Sequence, residues 1–138
     1  ILGAGNDTVD GGLGDDLVRY DRSGVASGVN VSLAQGLATG VWDGQDFRHN
    51  LTSIEDARGS EFGDTLVGDG NDNRLDGRNG DDVLIGGAGD DEFNDRGGTN
   101  IFDGGLGNDF YSAENSSNRI IFSGGQQGSK GIRQWLIN

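Results

Sequence analysis

An apolar residue returns at every ninth position through the second half of the chain: Leu66, Leu75, Leu84, Phe93, Phe102, Tyr111 and Ile120. Two positions before each stands a carboxylate or an amide: Asp64, Asn73, Asp82, Asp91, Asn100, Asp109 and Asn118. With position 1 set at Gly59, eight blocks of nine run without a gap from 59 to 130, the last placing Gln127 at position 6 and Ser129 at position 8. Two further blocks, 2–10 and 11–19, put Asp7 and Asp16 in the polar column and Val9 and Val18 in the apolar one. Positions 7 to 9 predict a three-residue strand whose middle side chain points one way and whose neighbours point the other, so position 8 faces inward. Glycines at positions 2 and 4 supply the positive-φ conformations that let the backbone double back within six residues.

Successive blocks then run antiparallel across a flattened coil of two blocks, 18 residues, per turn. The fold class predicted is all-β, a solenoid of two parallel sheets with strands about 4.8 Å apart. Position 6 of one block lies over position 6 of the block two along. One edge carries Asp64, Asp82, Asn100 and Asn118, the other Asn73, Asp91, Asp109 and Gln127. Carboxylates stacked this closely repel unless a cation stands between them. A hard ion taking carboxylate and carbonyl oxygens in flexible six- to eight-fold coordination fits, which describes Ca²⁺ better than Mg²⁺. Counting carboxylates, the Asp64/Asp82 and Asp91/Asp109 gaps should bind tightest. Asp82/Asn100, Asn73/Asp91 and Asp109/Gln127 should be weaker, and Asn100/Asn118 weakest. Asp81 and Asp90, at position 5, should point to solvent.

The blocks GGLGDDLVR, GGAGDDEFN and GGLGNDFYS resemble the G-G-x-G-x-D-x-U-x nonapeptide of the hemolysin-type, or RTX, calcium-binding repeats. The resemblance implies a parallel β-roll with Ca²⁺ held between turns by position-6 side chains and loop carbonyls. On this sequence the side chains are those of Asp7, Asp16, Asp64, Asn73, Asp82, Asp91, Asn100 and Asp109. The candidate loop residues are Gly59, Glu61, Gly68, Gly70, Gly77, Asn79, Gly86, Ala88, Gly104 and Leu106. The resemblance also implies a bacterial protein exported by a type I secretion system and located outside the cell or at its surface. Its partners are then the rest of a larger parent chain and the secretion machinery. Such parents include toxins, proteases, lipases, adhesins, S-layer proteins and alginate epimerases.

Composition agrees with a metal-dependent fold. Leu, Ile, Val and Phe supply 33 of 138 residues, while Gly supplies 28. The formal net charge is −13, and 19 of the 23 acids are Asp, a turn former rather than a helix former. With one histidine, His49, and no cysteine, there is no thiolate nucleophile, no disulfide framework and no His or Cys zinc site. A pI near 4.1 excludes binding to a phosphate backbone. No apolar run is long enough to span a bilayer, and residues 1–10 lack the basic start and apolar middle of a signal peptide.

Residues 20–58 lie out of phase with the nine-residue period. The alternating stretch 29–33 and the segments 37–42 and 51–55 predict longer β-helical coils that continue the roll, with Trp42 and Phe47 covering the join. A disordered linker is the alternative. The segment's acids, Asp21, Asp43, Asp46, Glu55 and Asp56, are candidate irregular Ca²⁺ ligands, most of them expected to be solvated. The apolar segment 131–138 predicts a cap on the solenoid's open end, with a secretion signal as its rival. The chain opens inside a repeat, which predicts a piece of a larger protein. Residues 69–73 imitate the start of an EF-hand loop, but Arg74 stands where that loop needs glycine and Gly80 where it needs the bidentate glutamate. No Walker lysine or G-x-G-x-x-G between strand and helix is present, and a lone histidine in a linking segment predicts a structural role rather than a catalytic one. The function predicted is a non-catalytic Ca²⁺-binding module. A module presenting its surface to an extracellular polysaccharide is the alternative, and it requires a basic and aromatic stripe. Arg19, Arg74, Arg78, Arg96, Arg119 and Arg133 are candidates for it, but they fall at different repeat positions and form no single stripe.

Overall fold

The computed structural model describes residues 2–121 and 136–137. Among these residues there is no helix, and the strands are β1 (Thr8–Asp10), β2 (Leu17–Arg19), β3 (Asn30–Ser32), β4 (Leu37–Trp42), β5 (Gln45–Thr52), β6 (Asp56–Arg58), β7 (Thr65–Val67), β8 (Arg74–Asp76), β9 (Val83–Ala88), β10 (Glu92–Asp95), β11 (Gly98–Leu106), β12 (Phe110–Glu114), β13 (Ser116–Ile121) and β14 (Leu136–Ile137). They form an eight-stranded sheet, ordered β1-β5-β4-β3-β7-β9-β11-β13, and a six-stranded sheet, ordered β14-β12-β10-β8-β6-β2.

The nine-residue pattern becomes an 18-residue register. Leu66 pairs with Leu84, Leu84 with Phe102 and Phe102 with Ile120 in parallel along one sheet. Leu75 pairs with Phe93 and Phe93 with Tyr111 along the other. Position 8 is inward, as the strand geometry requires: Leu66, Leu75, Leu84, Phe93 and Phe102 are fully buried. The two sheets meet at this single file of side chains. Phe93 and Tyr111 stack with ring centroids 4.9 Å apart, and Phe102 lies 5.9 Å from each. A core one residue wide has few neighbours to absorb a cavity.

The linking segment departs from the coils expected of it. β3, β4 and β5 form an antiparallel meander, with Val31 opposite Ala38 and Ala38 opposite His49. The meander is spliced into an otherwise parallel sheet: β5 pairs with β1 and β3 with β7, both in parallel. Across the roll β2 pairs directly with β6. One sheet therefore carries three strands where the other allows for one, and two extra strands add about 9.6 Å of width at the usual spacing. The resulting wedge is filled by the largest side chains of the segment. Phe47 stacks between Tyr20 and His49, at 5.3 and 4.4 Å, and Trp42 meets Phe47 edge-on at 6.2 Å. Trp42 and Phe47 thus sit inside the join, in company with Tyr20 and His49.

The segment then returns to frame before the main array begins. Residues 50–58 place Glu55 at position 6 and Ala57 at position 8, since Asp56 pairs with Arg74 and Ala57 with Leu75. At the far end, β14 pairs Leu136 with Ala113 and Ile137 with Glu114. Block 122–130 and most of the expected cap lie outside the described residues.

The single-file core yields an expected outcome. Phe102→Ala should cost about 3–5 kcal/mol in the Ca²⁺-loaded protein, whereas Leu13→Ala, at a fully exposed loop position, should stay within about 0.5 kcal/mol. Denaturant unfolding in saturating Ca²⁺ measures both, and a Phe102→Ala cost as small as that of Leu13→Ala would contradict the packing.

Candidate metal centre

Stacking at 18 residues brings each position-6 side chain under the backbone of the previous turn. The amide of Asp64 donates to Oδ1 of Asp82 at 2.7 Å, and that of Asp82 donates to Oδ1 of Asn100 at 2.8 Å. On the opposite edge the amide of Asn73 donates to Oδ1 of Asp91 at 2.8 Å, and that of Asp91 to Oδ1 of Asp109 at 3.0 Å. One oxygen of each column member is thereby committed to the ladder. The second oxygen is the informative one. Oδ2 of Asp82 and Oδ2 of Asp91 are buried and accept no hydrogen bond, as does Oδ2 of Asp16.

The space around these oxygens is shaped for them. A Cβ added at Gly77, Gly86, Gly104 or Gly59 would land on the Oδ2 of its own block's aspartate: Asp82, Asp91, Asp109 and Asp64 respectively. Position 1 is therefore glycine for want of room, not for its φ angle. Positions 2 and 4 do need positive φ: Gly87 and Gly89 stand at 105° and 102°, and Gly105 and Gly107 at 81° and 120°. Carbonyl oxygens of Gly80, Gly87 and Gly89 lie against the glycines one turn on, at 98, 105 and 107. The donors gathered along each edge are therefore carboxylate and carbonyl oxygens.

Burial sets the electrostatics. Desolvation, with repulsion from Asp64 and Asp95 added, pushes the Asp82 carboxyl up to about 8. Desolvation with Asp109, Asp72 and Asp69 nearby pushes Asp91 up to about 7. Asp64 rises to about 6, burial outweighing its hydrogen bonds from Val29 and Ser60. Without a cation these groups prefer to hold protons.

The expected ligands occupy different situations. Asp64 has less to offer than its carboxylate count suggests: Ser60 donates its amide to Oδ2 and its hydroxyl to Oδ1, both at 2.7 Å, and Val29 donates to Oδ1 at 2.8 Å. Asn73 turns Nδ2 to the carbonyl of Glu55 at 2.8 Å and accepts the amide of Asp69 on Oδ1. Asp16 is joined by Glu55, whose Oε2 accepts the Asp16 amide at 2.9 Å. Asp7 stands apart from the carboxylate columns, against Nε2 of His49 at 3.4 Å. Asn100 passes Nδ2 to Oδ1 of Asn118 at 2.9 Å, so that amide pair satisfies itself. Among the position-3 candidates, Gly70, Asn79 and Leu106 are exposed and Ala88 is half-buried. Glu61 is exposed and engaged with Arg78 and Asn79. Gly68 packs against Oδ1 of Asn73 as its counterparts do against their aspartates.

Position 5 differs from expectation. Asp81 and Asp90 are exposed, yet Oδ1 of Asp81 accepts the Thr99 amide at 2.9 Å and Oδ1 of Asp90 accepts the Asn108 amide at 2.8 Å. A second, outer ladder runs beside the first. Two further acids join the inner columns without the repeat's glycine pattern to mark them. Glu55 lies in a block without glycines, and Asp95 stands at position 1 where glycine is the rule.

The family model of the RTX calcium-binding nonapeptide repeat, in four copies, matches residues 1–21, 58–93 and 76–111. The chain belongs to this family. No curated protein matches it. The RTX repeat binds Ca²⁺, and the structure meets that ion's demands on independent grounds: orphaned buried carboxylate oxygens, a cradle no Cβ can enter, and an all-oxygen donor set.

The metal-free protein should respond to pH in a defined sense. Asp82, Asp91 and Asp64 are raised on folding from the ordinary value of 3.8. Their contribution to the metal-free fold is fully present below about pH 4 and is lost as pH rises through about 6 to 8. In chelator the folded fraction, read by circular dichroism, should fall from pH 5 to pH 8. A rise over that interval would contradict the buried columns.

Proposed function

We propose that this chain is a Ca²⁺-operated folding module of an exported bacterial protein. It is carried unfolded through a type I secretion system, and it compacts outside the cell to stabilise or present a larger parent. The observation that carries the proposal is the pair of orphaned, buried oxygens, Oδ2 of Asp82 and Oδ2 of Asp91. A chain of net charge −13 that buries unpaired carboxylates along two columns opposes its own compaction until a divalent ion arrives. Affinities of extracellular modules, about 10⁻⁴ to 10⁻³ M, leave such sites empty where Ca²⁺ is scarce and fill them where it is plentiful. Asp16, Glu55, Asp82, Asp91 and Asp109 are the side chains that would hold the ions, with loop carbonyls completing each shell.

The parent is a toxin, adhesin, S-layer protein or exoenzyme, and the module itself is non-catalytic. His49 supports that: it is buried, with Nδ1 2.9 Å from the hydroxyl of Tyr20 and Nε2 3.0 Å from the carbonyl of Gly3, so neither ring nitrogen serves a substrate. A polysaccharide-presenting surface has weaker support, because three of the six candidate arginines, Arg19, Arg74 and Arg78, are engaged with acids. Arg19 and Arg78 pair with Asp21, Arg58 with Asp76 and Arg74 with Glu92.

Adjacent acids provide the test. Asp82→Asn and Asp91→Asn should raise the Ca²⁺ midpoint for folding, by an amount on the order of the 2–5 kcal/mol attached to breaking a desolvated charge pair. Asp81→Asn and Asp90→Asn keep the acceptor oxygen of the outer ladder and remove the same charge, so they should move the midpoint by about 1 kcal/mol or less. Circular dichroism during Ca²⁺ titration reads all four. Equal midpoints within each pair would mean the acids act only as a diffuse charge.

A further inference from the structure

Block 95–103 breaks two columns at once. Asp95 stands at position 1, where Gly11, Gly59, Gly68, Gly77, Gly86 and Gly104 stand in other blocks, and Asn100 replaces aspartate at position 6. Taken singly, the first change puts a side chain where the others have no room, and the second removes a charge from the column. Taken together, they compensate. In the other blocks the position-6 side chain, carboxylate or amide, fills the space beside position 1; here Asp95 occupies it and Asn100 turns its Nδ2 to that carboxylate.

The Asp95 carboxylate is buried, with 4% of the residue exposed. Nδ2 of Asn100 donates to its Oδ2 at 2.6 Å, and the Ser116 side chain and the Gly97 backbone also hydrogen-bond the group. Its Oδ1 has no partner, and neither has Oδ2 of Asp82. The two carboxylates lie within hydrogen-bonding reach of one another. Two buried carboxyl groups this close share a proton when the metal is absent, and with both ionised they repel unless a cation lies between them. Asn100 cannot supply it, because its Oδ1 is spent on the Asp82 amide and its Nδ2 on Asp95 and Asn118.

We infer that the Asp95 side chain is a Ca²⁺ ligand, at a position where the glycines of other blocks have only a backbone carbonyl to offer, and that with Asp82 it makes a two-carboxylate site in the gap between the Asp82 and Asn100 turns. This rests on the reading that ions sit between turns. It also reverses the order of affinity drawn from position 6 alone. The Asp82/Asn100 gap ranks with the strong sites, while Asp64, saturated by Ser60 and Val29, adds little to the gap before it.

The test counts bound Ca²⁺ by equilibrium dialysis, and measures affinity by calorimetry, on the full chain. Asp95→Asn keeps shape and hydrogen bonds but removes the charge. It should lose one ion at a concentration that saturates the wild type, or weaken that site about tenfold or more, since ligand charge count tunes Ca²⁺ affinity. Asp95→Gly should do the same, and it keeps the test standing should Asp95→Asn fail to fold. Adding Asn100→Asp to Asp95→Gly recreates the arrangement of the other turns and should restore the ion. A merely structural Asp95 would leave the count of bound Ca²⁺ unchanged in both variants. That result, in a background where the wild type binds Ca²⁺, overturns the assignment of Asp95 alone. A wild type that binds no Ca²⁺ overturns the reading of the whole array.

Discussion

Carboxylates of Asp82 and Asp91 are held out of water directly over the side chains of the next turn, with one oxygen each given to a backbone amide and the other left bare. Every other feature of the roll follows from tolerating that arrangement. The 18-residue register is what aligns the acids. Glycine at position 1 is what lets the carboxylate fold back beneath its own loop. The hydrophobic contribution cannot compensate for the repulsion, because the core is a single file from Leu66 to Tyr111 and small apolar cores supply only a few kcal/mol. Binding free energy of the ion is therefore folding free energy.

The same constraint explains the tolerance for the spliced meander. A solenoid needs each turn to contact only its neighbours, so a local widening is allowed if its volume is filled. Tyr20, Trp42, Phe47 and His49 fill it with stacked rings, and Asp21 ties the segment to the turns beyond through Arg58 and Arg78. Asp21 is held below the usual carboxylate range: burial alone would raise it, and Arg19, Arg78 and Arg58 outweigh that. This part of the molecule coheres by ordinary packing and ion pairing, in contrast with the array on either side of it.

What could be read from the sequence was set by period. Position 8 and position 6 repeat every nine residues, and stacking geometry turns those two columns into a core and an ion track. The direction of β4 could not be read this way, because alternation in 29–33 and 37–42 marks strands without marking what they pair with. Glu55 stands out in the sequence only as one acid among several in the linking segment, because its block keeps the register and loses the glycines. Asp95 looked like a defect at a glycine position, and only its contact with Asn100 and Asp82 shows that two departures from the repeat answer one another. The weakness of Asp64 was likewise invisible, since it depends on Ser60 and Val29 reaching it from elsewhere in space.

Near neutral pH, where protons no longer neutralise the columns, the two inner ladders exist only when ions do so. Hydrogen exchange of the backbone amides of Asp64, Asn73, Asp82 and Asp91 reads this directly, because each donates to a position-6 side chain or lies in the same column. Near neutral pH these amides should be protected in Ca²⁺ and should exchange at rates close to those of an unfolded chain in excess chelator. Protection of equal strength in chelator would show that the columns stand without the ion, and the account would fail.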